Sequence, residues 1–121
     1  MYLKKIRLPL LVTALIVLLA CNLLSTPEPP GVGEKANQGY AVCDPIIAAL
    51  EQSHLKTSVY PETLMELVPD YLADVPTEVN DEPITYLRTG ESYSLQFHYI
   101  GSGMNTCTYT PKDKWQCSGA Y

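Results

Sequence analysis

The feature that most constrains this chain is its N-terminus, where a short basic segment leads into an apolar run that ends at a cysteine. Lys4, Lys5 and Arg7 supply the positive charges, and residues 8–20 are almost entirely apolar. A basic head followed by an apolar core of this length is the pattern of a secretory signal peptide. The run is shorter than the roughly 20 apolar residues that a membrane-spanning helix needs. We therefore predict that residues 1–20 are a signal peptide and that the rest of the chain is extracytoplasmic.

The end of this apolar run reads Leu18-Leu19-Ala20-Cys21. A small residue directly before a cysteine, preceded by leucines, resembles the lipobox of bacterial lipoproteins. In that family the chain is cleaved before the cysteine, the thiol receives a diacylglycerol, and the new amino group is often acylated as well. The resemblance implies that Cys21 is the lipidation site, since two or three acyl chains such as palmitate make a stable membrane anchor where one is marginal. The alternative is an uncleaved signal anchor that contains an incidental cysteine.

Asn22 follows the cysteine that this resemblance would modify. In diderm bacteria an aspartate at this position is associated with retention in the inner membrane, so Asn22 permits sorting to the outer membrane. In a monoderm host the same anchor would hold the protein on the outer face of the cell membrane. We expect a membrane-anchored extracytoplasmic lipoprotein in either case.

The mature chain is acidic. The full sequence has 8 basic and 13 acidic residues and a formal charge of −5, and cleavage before Cys21 would remove three basic residues, leaving −8. An acidic surface repels phosphate backbones, so we exclude nucleic acid as a partner. Electrostatic adhesion to anionic lipid is disfavoured for the same reason. The predicted membrane contact is therefore the covalent lipid on Cys21.

The segment after Cys21 is rich in proline and glycine and has almost no large apolar side chains beyond Leu24. These residues are Pro27, Pro29, Pro30, Gly31, Gly33 and Gly39. Such a composition predicts a flexible tether over residues 21–39, able to hold the next segment some tens of ångströms from the bilayer. Residues 40–121 then form one small domain, of a size that is often stabilised by a disulfide or another covalent crosslink.

The first predicted element of the domain is an amphipathic helix. Asp44-Pro45 favours a helix start, because aspartate accepts a hydrogen bond from a first-turn amide and proline fits the first helical position. Ile46, Ile47, Leu50 and His54 then recur on one face at helical spacing, and whether Leu55 belongs to that face is left open. We predict a helix over about 44–57, with a further turn before Asp44 left open.

A proline-punctuated segment follows this helix. It contains Tyr60-Pro61, a leucine-rich turn in which Leu64 and Leu67 are expected to face inward, and Val68-Pro69-Asp70-Tyr71-Leu72. Together with the preceding helix, this order resembles the globular part of type II secretion major pseudopilins and type IV pilin-like proteins over residues 46–95. The resemblance implies a helix packed across an antiparallel sheet, and a role in a secretion or pilus machine. The chain departs from the family at its N-terminus, where a lipobox and tether replace a long apolar helix, and it lacks a counterpart of the family's calcium-binding loop.

Two hairpins are predicted in the C-terminal half. Residues 84–89 and 92–100 are rich in β-formers and flank a turn centred on Thr89-Gly90 or Gly90-Glu91. In the second of these strands the apolar and polar residues alternate, so one face should meet the helix. The apolar positions are Tyr93, Leu95, Phe97 and Tyr99. The predicted fold class is α+β, with one amphipathic helix on an antiparallel sheet of about four strands, a pilin-like head.

The second hairpin joins residues 106–110 to 114–118 through a three-residue loop. This register places Cys107 opposite Cys117 and Tyr109 opposite Trp115, with opposed Cβ atoms about 4.5–5.5 Å apart. We predict a Cys107–Cys117 disulfide, which leaves Cys43 as a candidate free thiol. The alternative pairs Cys43 with either partner and clamps the helix to the sheet. Tyr109 and Trp115 are a candidate binding surface for sugar or protein, although a small core also needs such rings.

Few side chains suggest a catalytic or metal-binding site. The two histidines, His54 and His98, have no spacing typical of a ligand pair, so we predict no metal site. We interpret the acidic loop around Asp81-Glu82 as a solvated surface rather than a weak calcium site. We interpret Gly101-Ser102-Gly103 as a turn without a binding role. We predict no catalytic residues and no cofactor.

These observations predict a lipid-anchored, non-catalytic binding or assembly module that acts at the cell envelope, with an envelope protein as partner. Two alternatives remain. One is an accessory component or regulator of a type II secretion or type IV pilus-like machine. The other is a small envelope hydrolase or metal-binding protein.

Overall fold

The structure is a computed structural model and describes residues 26–119. The elements are α1 (Glu34–Thr57), a 3₁₀ helix (Leu64–Leu67), β1 (Glu78–Val79), β2 (Glu82–Pro83), β3 (Thr85–Thr89), β4 (Ser92–Ile100), β5 (Met104–Thr110) and β6 (Lys114–Gly119). The predicted α+β class is confirmed, with one helix and a four-stranded antiparallel sheet, to which the structure adds a two-stranded sheet. The predicted signal peptide and the predicted lipidation site Cys21 lie outside the described residues.

The main sheet is a meander in the order β3-β4-β5-β6, in which each strand pairs with its neighbour in sequence. In the first hairpin Thr89 pairs with Ser92, so the turn is the Gly90-Glu91 alternative. Gly90 has φ of +62°, a conformation that glycine adopts without steric cost. In the second hairpin the predicted register is confirmed, because Cys107 pairs with Cys117 and the loop closes where Thr110 pairs with Lys114.

The core lies between α1 and the inner face of this sheet. Along β4 the buried residues alternate with half-buried ones, as predicted from the alternation of apolar and polar side chains. The buried positions are Tyr93, Leu95, Phe97 and Tyr99 on β4 and Ala36, Cys43, Ile46, Ala49 and Leu50 on α1. Leu67 of the 3₁₀ helix is fully buried as well, so the inward-facing turn expected after Pro61 is present in a short form.

Helix α1 begins at Glu34, so the prediction of a start near Asp44 was wrong. Pro45 lies inside the helix. A proline there leaves the carbonyl four residues earlier without its helical partner, but Ala41 and Pro45 are both exposed, so water can solvate that carbonyl. Residues 34–39 lie within the predicted tether of residues 21–39, but they are helical, and Ala36 and Gly39 are buried.

The acidic segment around Asp81 is a tight hairpin between β1 and β2. Asn80 and Asp81 have φ of 53° and 62°, and two consecutive positive φ values are typical of a type I′ hairpin turn. The Asn80 side-chain amide donates to the Lys35 carbonyl at 3.1 Å, which ties this hairpin to the start of α1. Among residues 26–119, no helix has the length and apolar character needed to cross a membrane.

Candidate binding groove

The predicted cysteine pair forms the disulfide. Cys107 and Cys117 are bonded across β5 and β6, with their Cα atoms 4.1 Å apart. Cys43 is fully buried and makes no disulfide with another cysteine of residues 26–119. Burial, with a smaller contribution from the charge of Asp44, raises the pKa of the Cys43 thiol to about 12. The thiolate is the reactive form of cysteine, so Cys43 is a structural residue rather than a nucleophile.

Tyr109 and Trp115 lie opposite each other on the inner face of the sheet, with ring centroids 5.4 Å apart. Trp115 also packs edge-to-face against Phe97 at 5.3 Å and against Tyr40 at 5.1 Å. Its indole N–H donates to Asp44 Oδ1 at 3.2 Å. Much of the indole surface is therefore used to close the core beside α1, and the ligand-binding role of this pair stays a prediction.

The two histidines lie on opposite sides of the main sheet. His54 is on α1 and stacks on the Tyr60 ring, with centroids 4.1 Å apart. His98 alternates with the buried residues of β4, and its Nδ1 lies 2.9 Å from Thr106 Oγ1 on the outer face. Within the described part of the chain, no group of three or more His, Cys, Asp or Glu side chains is arranged to hold a metal ion.

A groove of about 400 Å³ lies where α1 ends. Four separate segments contribute to it: the last turns of α1, the Tyr-Pro segment, the end of the 3₁₀ helix with the residues after it, and β3. The lining residues are Ser53, Thr57, Val59, Tyr60, Pro61, Glu62, Glu66, Asp70, Tyr71 and Arg88. Sequence reasoning identified the Tyr60-Pro61 segment but not the groove, because Arg88 meets the other residues only through the fold.

The groove wall formed by Tyr60 and Pro61 is held by partly buried hydrogen bonds. The hydroxyls of Tyr60 and Tyr93 donate to Glu51 Oε1 at 3.1 and 3.2 Å. Burial, reinforced by the negative charge of Glu51, raises the pKa of Tyr60 to about 12. The Tyr86 hydroxyl donates to the Pro61 carbonyl at 2.7 Å. The wall is therefore positioned before any ligand arrives, which lowers the entropic cost of binding.

The groove has an excess of negative charge. Arg88 pairs with Glu62 at 2.6 Å, and Glu66 Oε2 accepts a hydrogen bond from the Thr63 backbone N–H at 2.8 Å. Asp70 adds a third carboxylate to the lining. Three carboxylates and one guanidinium leave a local field that attracts cations.

The Tyr71 ring at the rim already binds a cation. The Lys56 ammonium lies 5.8 Å from the ring centroid, within the range of a cation–π contact. Two large apolar side chains nearby are also exposed, Val59 at 48% and Met65 at 65%. Val59 lines the groove, and Met65 precedes Glu66 on the 3₁₀ helix. Rings, carboxylates and exposed apolar side chains therefore meet at this end of the domain.

Comparisons of the chain with protein-family models, with curated proteins and with solved structures found no match.

Proposed function

We propose that this protein is a lipid-anchored, non-catalytic binding module of the cell envelope, anchored through an acylated Cys21. The observation that carries the proposal is the position of the groove, at the opposite end of α1 from the segment that leads back to Cys21. A helix of 24 residues is about 36 Å long at 1.5 Å per residue. The anchor and the groove therefore do not compete for the same surface. The Cys107–Cys117 disulfide is typical of proteins in oxidising compartments.

The anchor is tested by replacing the acylated residue. We expect Cys21→Ser to abolish labelling with a radioactive or clickable fatty acid and to move the protein from the membrane fraction to the soluble fraction. Cys43→Ser is the matched control, because it removes a buried thiol and leaves the lipobox intact. If Cys21→Ser protein stays in the membrane fraction at the wild-type level, the lipoprotein proposal is wrong.

For the groove, the ligand chemistry that fits best is a cationic group on an apolar stem, such as an arginine or lysine side chain of an envelope protein. Glu66 and Asp70 supply the negative charge, Tyr71 supplies an aromatic ring that already lies near the Lys56 ammonium, and Val59 and Pro61 supply apolar contact. Cations are attracted to both carboxylates and ring faces. A basic side chain presented by a folded partner would use all three features at once.

This ligand class is tested by titrating N-acetyl-arginine amide into isotope-labelled protein and following amide chemical shifts. Shifts are expected for residues 59–71, weaker binding for Glu66→Gln and Asp70→Asn, and no loss for Glu34→Gln, which removes an equal charge at the other end of α1. N-acetyl-citrulline amide is the matched neutral ligand. Equal binding of the citrulline compound, or shifts elsewhere on the domain, would contradict the assignment of the groove.

The alternative, an accessory component or regulator of a type II secretion or type IV pilus-like machine, is favoured by one observation. A long helix lies across an antiparallel meander, which is the layout that the pseudopilin resemblance implies. In this case the partner would be a machine component, and its genes would neighbour this one. Adjacent genes for a secretion ATPase and a prepilin peptidase, with co-purification of their products, would support it, and isolation from such genes would count against it.

A further inference from the structure

The chain is fastened to the domain in the residues just before helix α1 begins at Glu34. The Gly31 backbone N–H donates to the Tyr99 hydroxyl at 2.8 Å, and the Tyr40 hydroxyl donates to the Gly31 carbonyl at 3.0 Å. A Cβ at residue 31 would lie 2.8 Å from the Cys117 sulfur, so only glycine fits this close approach. Val32 closes a turn through its hydrogen bond to the Pro29 carbonyl at 3.2 Å. The chain is therefore held at residues 29–32.

This fastening limits the distance between the domain and a lipid on Cys21. An extended chain spans at most about 3.6 Å per residue, so the five residues from Cys21 to Thr26 reach no more than about 18 Å, and the eight to Pro29 about 29 Å. The sequence at this point includes Leu23 and Leu24, which are apolar. The end of the domain where the chain enters must therefore stay close to the bilayer that holds Cys21.

Three large apolar side chains are exposed at this end of the domain. Val32, Ile100 and Met104 are exposed by 52%, 53% and 50%. Ile100 and Met104 are cross-strand partners where β4 passes into β5, and Val32 and Ile100 line one shallow groove with Tyr99. We call these three residues the entry patch.

The charge around the entry patch decides what it can contact. Lys35 donates its ammonium to the Ile100 carbonyl at 2.7 Å, and the carboxylates of Glu28 and Glu34 border the same groove. Two carboxylates and one ammonium give no attraction to anionic lipid. Contact with a bilayer would therefore come from burial of apolar surface in the interface between headgroups and acyl chains, where such side chains partition favourably.

We propose that the entry patch lies on the surface of the lipid bilayer, so that α1 stands away from the membrane and the groove at its other end faces the periplasm or the exterior. This inference depends on the proposed acylation of Cys21. The short chain to the anchor brings Val32, Ile100 and Met104 to the bilayer, and their exposure gives the contact its apolar surface. The domain is held upright at the membrane and is not displayed on a long mobile stalk.

The test uses the acylated mature protein, isotope-labelled and reconstituted into phosphatidylcholine nanodiscs that contain a gadolinium-chelating lipid. Paramagnetic broadening of amide signals falls steeply with distance from the bilayer surface. Broadening is expected to be strongest at residues 31–35 and 100–104 and weakest at residues 59–67. An even profile, or a maximum at residues 59–67, in protein that co-elutes with the discs overturns this inference and leaves the anchor intact.

Variants separate the apolar contact from the tether. The double change Ile100→Asp with Met104→Asp should weaken the end-specific broadening while the protein remains on the discs, because only the short chain from Cys21 then keeps this end near the bilayer. Leu87→Asp, an equally exposed apolar position on β3, should leave the profile unchanged. Thermal denaturation checks that the variants fold, and Ile100→Ser with Met104→Ser replaces the aspartates if they do not. End-specific broadening that keeps its full strength in both double variants overturns the role of the patch.

Two further outcomes are distinguishable. Wild-type protein that does not co-elute with the discs contradicts the anchor and overturns both proposals together. The second outcome concerns self-association and is measured by sedimentation of the Cys21→Ser chain. A monomer supports the lipid assignment. A dimer that Ile100→Asp dissociates would assign the entry patch to a second copy of this chain and overturn the lipid contact.

Discussion

Replacing Gly39 with alanine tests the close approach of α1 to the sheet. An alanine Cβ at this position would lie 2.1 Å from Cε2 of Phe97 and 2.4 Å from Cδ2 and Cζ, whereas carbon atoms in contact are about 3.5–4.0 Å apart. The ring would have to move by more than about 1 Å to restore that contact distance. Phe97 is fully buried and is held by Tyr40 and Trp115, with centroids at 5.4 and 5.3 Å, so it has little space to move.

Two opposing effects decide the sign of the change in stability. Alanine in place of glycine inside a helix favours folding by about 1 kcal/mol. Overpacking of a filled core costs about 1–3 kcal/mol, and the short distances to three ring atoms place Gly39→Ala at the upper end of this range. We therefore expect the free energy of unfolding to fall by about 1–2 kcal/mol, since the overlap outweighs the propensity gain. In a domain of this size each kcal/mol lowers Tm by roughly 4–8 °C.

The assay is urea and thermal denaturation of the soluble Cys21→Ser form, followed by circular dichroism. Gln38→Ala, at an exposed neighbouring position, is the control and should stay within about 0.5 kcal/mol of the parent. Phe97→Leu combined with Gly39→Ala should cost less than the sum of the two single changes, because the smaller side chain leaves room for the new methyl group. If Gly39→Ala alone raises stability, residue 39 does not lie against Phe97, and the helix start described here is wrong.

Three further predictions concern buried polar groups. Glu51→Ala leaves the hydroxyls of Tyr60 and Tyr93 without their acceptor and should lower the free energy of unfolding, measured in urea, by about 1–3 kcal/mol. The same change should cost less in a protein in which both tyrosines have been replaced by phenylalanine, because no hydroxyl then loses its acceptor. Cys43 should resist iodoacetamide in the native protein at about pH 8, where its raised pKa keeps it a thiol, and should react at once in denaturant; equal rates in the two states would show that it is accessible. Stability should decline with rising pH, because folding raises the pKa values of Cys43 and Tyr60 from 9.0 and 10.0 to about 12. Below about pH 9 both groups are protonated in the folded and the unfolded state, and their contribution to the free energy of unfolding is complete. At higher pH the unfolded chain loses these protons first, so the contribution shrinks and is lost toward pH 12. Denaturation midpoints that stay constant across this alkaline range would contradict the burial of these groups.

The sheet was predictable because its strand register and its buried face depend on residues close together in the sequence. Cys107 and Cys117 flank a three-residue loop at equal distances, so one register places them opposite each other and also brings Tyr109 opposite Trp115. Alternation along β4 identified its buried face in the same way, since successive side chains of a strand point to opposite sides. The choice between the two possible turns of the first hairpin needed the structure, because either register keeps the same residues in the core.

The start of α1 was not predictable from local signals. Asp44-Pro45 has the composition of a helix start, and Gly31, Gly33 and Gly39 have the composition of a linker. In the structure Gly39 is instead the point where the helix approaches Phe97 too closely for any side chain. A single sequence does not distinguish a glycine that allows close packing from a glycine that makes a linker flexible. The groove was missed for a related reason, because Arg88 joins Glu62 from β3 across 26 positions in the chain.

Under the proposed acylation of Cys21, the position of the helix start sets how firmly the groove is held relative to the membrane. A helix beginning near Asp44 would leave a long flexible chain after Cys21, whose end-to-end distance varies widely. With Gly31 hydrogen-bonded to Tyr99 and Tyr40, only residues 22–28 separate Cys21 from the fastened segment, and the helix of 24 residues contributes about 36 Å of nearly constant length. If Cys21 is acylated as proposed, a partner of the groove has to reach a narrow layer above the membrane and is not captured over a wide range of heights. Inserting a flexible segment between Cys21 and Thr26 should restore that range and weaken any interaction that depends on a fixed height, whereas binding of a small soluble ligand in the groove should not change.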